Sequence, residues 1–451
     1  MRVHFIAIGG SAMHNLAIAL HLKGFTVTGS DDEVFEPSKS RLAAHGLLPK
    51  KEGWDEMNIS DELDAIILGM HARKDNPELV KAQQLGLKIY SYPEYLYEQT
   101  KDKTRVVIGG SHGKTTTTAM VMHVLKALGK DFDYMVGAQL EGFDTMVRLT
   151  KDAPIAVFEG DEYLSSPIDL TPKFHWYKPQ VAMLTGIAWD HMNVFPTWEN
   201  YISQFTIFAD SMPDDATLVF FNEDEELVKL GEHQKSRLNV QEYSTLPYKK
   251  KNGKVVVLWE GNEYPMAIFG DHNLQNMNGA RLVCNQIGIS DEEFLSAISN
   301  FEGAAKRLQL LEKNETTHIY LDFAHSPSKL KATTNAMKQQ FSDRKLIAVM
   351  ELHTFSSLNK KFLPQYKHTM EMADQAVVFY NPEVLKHKQL PDLSKQEVSE
   401  AFDQDGLLVM TQSDELVSWL KEQDLTNSNL LIMTSGNFSG VDLKKLAAEL
   451  I

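Results

Sequence analysis

Residues 106–120 read VVIGGSHGKTTTTAM. Residue types able to hold phosphate stand there in close order: Gly110, Ser111, His112 and Gly113, then Lys114, Thr115 and Thr116. An apolar strand pattern ends at Ile108, and the stretch from Lys114 opens a helix. Glycines let successive backbone N–H groups curl inward at the positive end of a helix dipole, which makes an anion cradle. Lys114 can bridge the terminal phosphates of ATP, and the Thr115 hydroxyl can ligate Mg2+. The usual pattern is G-x-x-x-x-G-K-[ST], and Ile108 occupies the place of its first glycine. A chance Lys-Thr after a glycine turn would not need the strand before it and the helix after it.

Three further clusters could serve such a loop. IAVFEGDEY puts Glu159, Asp161 and Glu162 at the end of an apolar strand pattern, where ligands of open α/β sheets gather and where carboxylates can hold Mg2+. VAMLTGIAWDHMN puts Asp190 and His191 just past another, although a DH pair alone is equally an N-cap and a surface histidine. GDHNLQNMNGA places His272, Asn273 and Asn276 at a helix start. Such side chains can read a base edge, and by themselves they also fit an Asx-type cap. A second glycine turn, VHFIAIGGSAM, offers Gly9, Gly10, Ser11, Ala12 and Met13, with Asp31 and Asp32 after the next strand pattern. It lacks the outer glycines of G-x-G-x-x-G and indicates only a dinucleotide or UDP-like ligand.

The elements that must position these residues fall into three blocks. Up to about residue 100, VHFIAI, a helix over Ala12–Leu22, FTVTGSD, AIILG and LKIYS alternate strand and helix. From Thr104 the strand patterns are RVVIGG, PIAVFEGDE, VAMLTGI, ATLVFFN and KVVVLWE. After Gly303 they are HIYLDFAH, KLIAVM, QAVVFY, LLVM and LLIMTSG. This predicts an α/β chain with mostly parallel sheets and three domains, over residues 1–101, 102–302 and 303–451. TKDKT at 100–104 reads as a linker, FEGAAKR at 301–307 as a hinge, and LPYKKKNGK at 246–254 as an exposed hairpin turn. Length agrees: 451 residues exceed one ordinary domain. The net charge of −16, with no basic run, argues against nucleic acid as a partner. No apolar run approaches the roughly 18–20 residues of a membrane span. Cys284 is the only cysteine, so intramolecular disulfides are excluded, and a cytoplasmic protein is expected.

Taken in order, GGSHGKTT, EGDEY, DH, GDHNLQN, KRLQ, DFAHSP and SGNFSG resemble the Mur ligases along essentially the whole chain. That resemblance implies an N-terminal Rossmann-like domain for a UDP-sugar, a central phosphate-loop ATPase domain and a C-terminal Rossmann-like domain. It implies that Gly9–Met13 and Asp31 grip the UDP-sugar and that residues 110–116 hold ATP. Lys114, His191 and Glu159 would carry the chemistry, with Thr115, Glu159, Glu162 and His191 around Mg2+. Asn273, with His272 and Asn276, would lie by the adenine. Arg307, Asp322 and His325 would meet ATP or the substrates. The implied reaction is attack of the lactyl carboxylate of UDP-N-acetylmuramate on the γ-phosphate of ATP, followed by attack of an amine on the acyl phosphate.

Within the family, VTGSDDEVFEPSKS, ARKDNPEL and EGDEYLSSPIDLTPKFHWYKP resemble the Mpl-type branch of peptidoglycan recycling, which attaches L-alanyl-γ-D-glutamyl-meso-diaminopimelate. The alternative is L-alanine as the amine. Rivals of another class are a UDP-sugar sensor without turnover and a nicotinamide oxidoreductase, the latter leaving Lys114, Thr115 and His191 without a role. Several positions depart from the family pattern: Thr185 and Gly186 replace Asn-Asn, Ala188 a glutamate and Leu321 an aspartate, while Asn193 stands for an aspartate and His353 for an arginine. No lysine suited to carbamylation stands near Phe205. The oligomeric state is not legible in the sequence.

Overall fold

The computed structural model describes residues 1–189, 194–251, 253–304 and 306–451. The chain divides into two compact units, one of Met1–Ile187, Tyr201–Ser244 and Asn278–Ala297, the other of Ala188–Asn200, Thr245–Met277 and Ile298–Ile451.

The first unit contains two sheets. Strands Arg2–Ile6, Thr26–Ser30, Ala65–Leu68 and Ile89–Ser91 form an all-parallel sheet in the order second, first, third, fourth. Its strands are short and mostly buried because helices return the chain across them, as parallel pairing requires. Helix Pro77–Gln84 starts sharply: Asn76 accepts the N–H groups of Glu78 and Leu79, and Pro77 supplies the preset first turn. Between this helix and the sheet His4 and Glu78 form a buried pair at 3.3 Å, and Glu78 also accepts from Ser30, Asp55 and Asn58.

The larger sheet has seven strands, in the order Asn239–Tyr243, Thr217–Phe221, Val181–Leu184, Thr104–Gly109, Ile155–Gly160, Phe132–Met135, Val147–Arg148. All neighbours are parallel except the last pair. Val106, Val107 and Ile108 are fully buried in the middle of it, which is why the central strand is a continuous apolar run. Parallel pairing brings Glu159 beside Ile108 and Leu184 beside Gly109, so three sequence-distant strand ends share one edge.

The second unit holds a six-stranded sheet in the order Gln309–Lys313, Thr317–Asp322, Ser428–Met433, Lys345–Leu352, Gln375–Tyr380, Leu408–Met410. Only its first pair is antiparallel. Its core packs on both faces of these strands, around Leu346, Ala348 and Met350 on one side and Ile347, Val349 and Ile432 on the other.

The α/β class with mostly parallel sheets is as the alternating patterns predict. One strand falls elsewhere. Lys254–Trp259, expected to continue the central block, lies in a separate antiparallel sheet between Tyr248–Lys251 and Asn262–Met266. Its two connections are too short for a crossover, so only antiparallel pairing is open to it. The hairpin expected at 246–254 is present, and Lys249 and Lys251 pair with Glu263 at its rim. No helix among the described residues is long and apolar enough to cross a membrane.

Candidate active site

The loop after Thr104–Gly109 turns through glycines and enters helix Lys114–Ala127. Gly113 caps the helix with φ 79°, a left-handed value that favours glycine. The turn is packed against the end of the neighbouring strand. Ser111 N–H donates to Gly186 O at 2.9 Å, and the Thr185 hydroxyl donates to the carbonyl of His112. Gly186 has φ 148°, and a Cβ there would stand 2.5 Å from His112 Cε1. Thr185 and Gly186, noted above only as departures, are therefore what lets the glycine turn seat on this strand end. The Ile187 N–H is held by Asp224 Oδ2 at 2.6 Å, while Asp224 Oδ1 caps helix Glu225–Gln234.

Lys114 Nζ donates to Gly110 O at 2.7 Å and to Glu162 Oε2 at 2.8 Å, with Asp161 at 4.0 Å. Burial works against its charge, but the carboxylates of Glu162 and Asp161 outweigh burial and raise its pKa above the ordinary value. The Thr115 hydroxyl donates to Glu159 Oε1 at 2.7 Å, and Gly137 N–H to Glu159 Oε2 at 2.8 Å. Burial, aided by Asp161, pushes the Glu159 carboxyl up. The two glutamates, interchangeable in the sequence, thus separate: Glu159 faces Thr115 and Glu162 faces Lys114. Among the described residues no three His, Cys, Asp or Glu side chains are arranged to enclose a metal ion. A hydroxyl and a carboxylate in contact beside this glycine turn nevertheless fit Mg2+, which favours oxygen ligands. Asp190 and His191 lie outside the described residues.

Sequence reasoning missed Tyr201, whose buried hydroxyl joins Ser111 Oγ and Glu162 Oε1. Its spacing to Phe205 reads as an apolar helix stripe, and no motif marks it.

The first glycine turn opens helix Ser11–Leu22 with Gly10 as its cap. Gly9 N–H donates to Asp31 Oδ2 at 2.6 Å, and Asp32 N–H to Asp31 Oδ1 at 3.0 Å. Asp31 thus clamps the turn; burial pushes its carboxyl up to about 6. Asn15 connects this helix to the strand region beyond, its Oδ1 accepting Met146 N–H at 3.0 Å.

In the second unit, His272, Asn273 and Asn276 sit on helix Asp271–Gln286, with Asn273 Nδ2 donating back to Phe269 O at 2.8 Å. Asp322 ends its strand with both carboxylate oxygens accepting backbone N–H groups, from Leu308 and Ala324, each at 2.7 Å. Arg307 lies over the Phe323 ring at 4.5 Å, and His325 meets the same ring edge-on. Parallel register puts Asp322 beside Met433 and Met433 beside Met350, so the strand ends bring DFAH, ELH and SGNFSG to one edge. There Glu351 accepts from the Thr434 hydroxyl and from Phe438 N–H, and His353 stands 3.7 Å from it.

Three family models cover this chain: "Mur ligase family, catalytic domain" over residues 2–104, "Mur ligase middle domain" over 108–284, and "Mur ligase, glutamate ligase domain" over 306–438. A curated relative, the UDP-N-acetylmuramate--L-alanine ligase of Sulfurihydrogenibium sp. (strain YO3AOP1), is 30% identical over 84% of this chain and 82% of its own length. The chain belongs to the Mur ligase family. It is accordingly an ATP-dependent ligase that forms amide bonds. Among solved Mur ligases, the UDP-N-acetylmuramate-alanine ligase MurC of Thermotoga maritima matches 100% of this chain and 98% of its own, with TM-score 0.72 and 22% identity. The murein peptide ligase mpl of Psychrobacter arcticus 273-4 matches the same shares with TM-score 0.66 and 21% identity. At these identities both show the Mur ligase fold rather than a substrate.

Proposed function

We propose that this Mur ligase joins the lactyl carboxylate of UDP-N-acetylmuramate to the amine of L-alanine. The Lys114–Glu162 and Thr115–Glu159 contacts on one strand edge carry the reaction class. The relative's name favours L-alanine. The tripeptide L-alanyl-γ-D-glutamyl-meso-diaminopimelate, which the sequence resemblance of residues 159–179 favoured, becomes the second reading. Its support is that segment, a self-braced loop in which the Ser165 hydroxyl donates to Thr171 O and Ser166 Oγ accepts Asp169 N–H, leaving Ile168 and Leu170 exposed.

In the proposed mechanism the sugar's carboxylate displaces ADP from the γ-phosphorus, giving an acyl phosphate. The amine then adds to its carbonyl, loses a proton, and phosphate leaves. Lys114 and the N–H groups of Gly110, His112 and Gly113 would neutralise the charge that accumulates on the phosphate oxygens, the Ser111 N–H being held by Gly186 O. Thr115, Glu159 and, by the sequence resemblance, His191 would hold Mg2+, which supplies electrostatic stabilisation of the transferring phosphoryl group. Residues 9–13 and Asp31 would hold the UDP-sugar. His272, Asn273 and Asn276 would hold the base of ATP, and Arg307, Asp322 and His325 would act from the C-terminal domain, hinged near Gly303. The substrates need only be held in line and kept from water, so positioning supplies most of the rate.

The deciding experiment is phosphate release from MgATP with UDP-N-acetylmuramate, run with L-alanine, with the tripeptide, and with neither. Fastest release with L-alanine is expected. Fastest release with the tripeptide would transfer the specificity to the second reading, and release that ignores both amines would overturn both.

A further inference from the structure

Helix Trp198–Asp210 places Tyr201 beneath the phosphate loop, with no exposed surface. Its hydroxyl lies 2.7 Å from Ser111 Oγ and donates to Glu162 Oε1 at 3.1 Å. The other oxygen of Glu162 takes Lys114 Nζ at 2.8 Å. A phenol has one hydrogen, so with that hydrogen on Glu162 the Ser111 hydroxyl is the donor to Tyr201. Ser111, Tyr201 and Glu162 form a run of donors that ends on a carboxylate, the arrangement in which each bond strengthens the next. It spans the loop: Ser111 stands at its entrance, and Glu162 grips the lysine at its exit.

An arriving phosphate must draw Lys114 away from Glu162. How firmly Glu162 holds the ammonium depends on what else offsets its charge, and Tyr201 is a donor aimed at it. We propose that Tyr201 is a positioning residue for nucleotide binding, which tunes the hold of Glu162 on Lys114 and fixes Ser111 at the loop entrance. This rests on the assignment of residues 110–116 as the ATP site. Without the phenol, Glu162 relies more on Lys114, and the lysine is less available to phosphate. Tyr201→Phe isolates the hydroxyl, because the ring keeps its edge-on packing against Phe205, with centroids 5.3 Å apart.

The test is calorimetric titration of the full chain with MgATP alone and, separately, with UDP-N-acetylmuramate alone, so that no turnover occurs. Tyr201→Phe should raise the Kd for MgATP about tenfold, the scale of one hydrogen bond to a charged group, and leave that for UDP-N-acetylmuramate unchanged. Lys114→Ala should weaken MgATP on its own, and Lys114→Ala with Tyr201→Phe should lose little more, since Tyr201 acts through the partner of Lys114. Wild-type MgATP affinity in Tyr201→Phe, alongside a weakened Lys114→Ala, would overturn the role of Tyr201 while keeping the ATP site. Equal losses for both ligands would also overturn it, marking a general packing effect. Normal MgATP binding by Lys114→Ala would remove the ATP-site assignment and this proposal together.

Discussion

At Lys114 two demands compete for one ammonium. Its donors lie on Gly110 O and Glu162, and in the proposed reaction ATP would compete with them. The charge is nonetheless secure, because the surrounding carboxylates hold the pKa up. Lys114→Ala should therefore cost on the order of 100-fold or more in turnover, the scale of a lost charge-stabilising donor, and near-normal turnover would remove the residue from the mechanism. Asp31 makes a pH-dependent contribution. Its pKa lies near 6 in the fold, above the 3.8 of an ordinary aspartate, because burial penalises the anion. The folded chain thus binds more protons than the unfolded one between those values, and stability falls as pH rises through the window. Asp31→Asn keeps an acceptor for Gly9 N–H without the charge. Its melting temperature, relative to the parent, should climb between about pH 4 and pH 6.5; parallel melting curves across that range would contradict the shift.

At the scale of elements, the site depends on parallel strands ending in register. Gly110 and Gly186 lie on adjacent connections, and the loop closes because both lack a Cβ. Gly186→Ala adds an atom against the His112 ring in a backbone conformation that alanine resists. It should lose about 1–3 kcal/mol of stability and weaken MgATP binding. Denaturant unfolding measures the first effect, and an unchanged midpoint would mean the ring can yield. The glycine-rich motif, its strand and its helix were legible in sequence because glycine spacing and apolar runs are local signals. Tyr201, Gly137 and Thr185 were not, because each contributes through a contact with a residue distant in the sequence.

At the scale of the molecule, Cys284 provides an internal probe. It is fully buried in helix Asp271–Gln286, and burial pushes its thiol pKa well up, so the native thiol should be inert. Thiol labelling at neutral pH should proceed at the rate at which the surrounding structure unfolds locally, and bound MgATP should slow it further by stabilising the native state. Rapid labelling of the native chain would show that this part of the fold opens locally.

The sequence by itself determined the α/β class, the strand, glycine turn and helix around Gly110–Lys114, and the family, since period, glycine placement and motif order survive without coordinates. Tertiary structure decided the division of labour between Glu159 and Glu162, which stand three positions apart and look alike in sequence. It also decided that Lys254–Trp259 leaves the central sheet, and that Asp31 and Asp322 clamp backbone N–H groups. Each outcome depends on which strand ends lie side by side and which backbone donors they expose, relations between residues far apart along the chain.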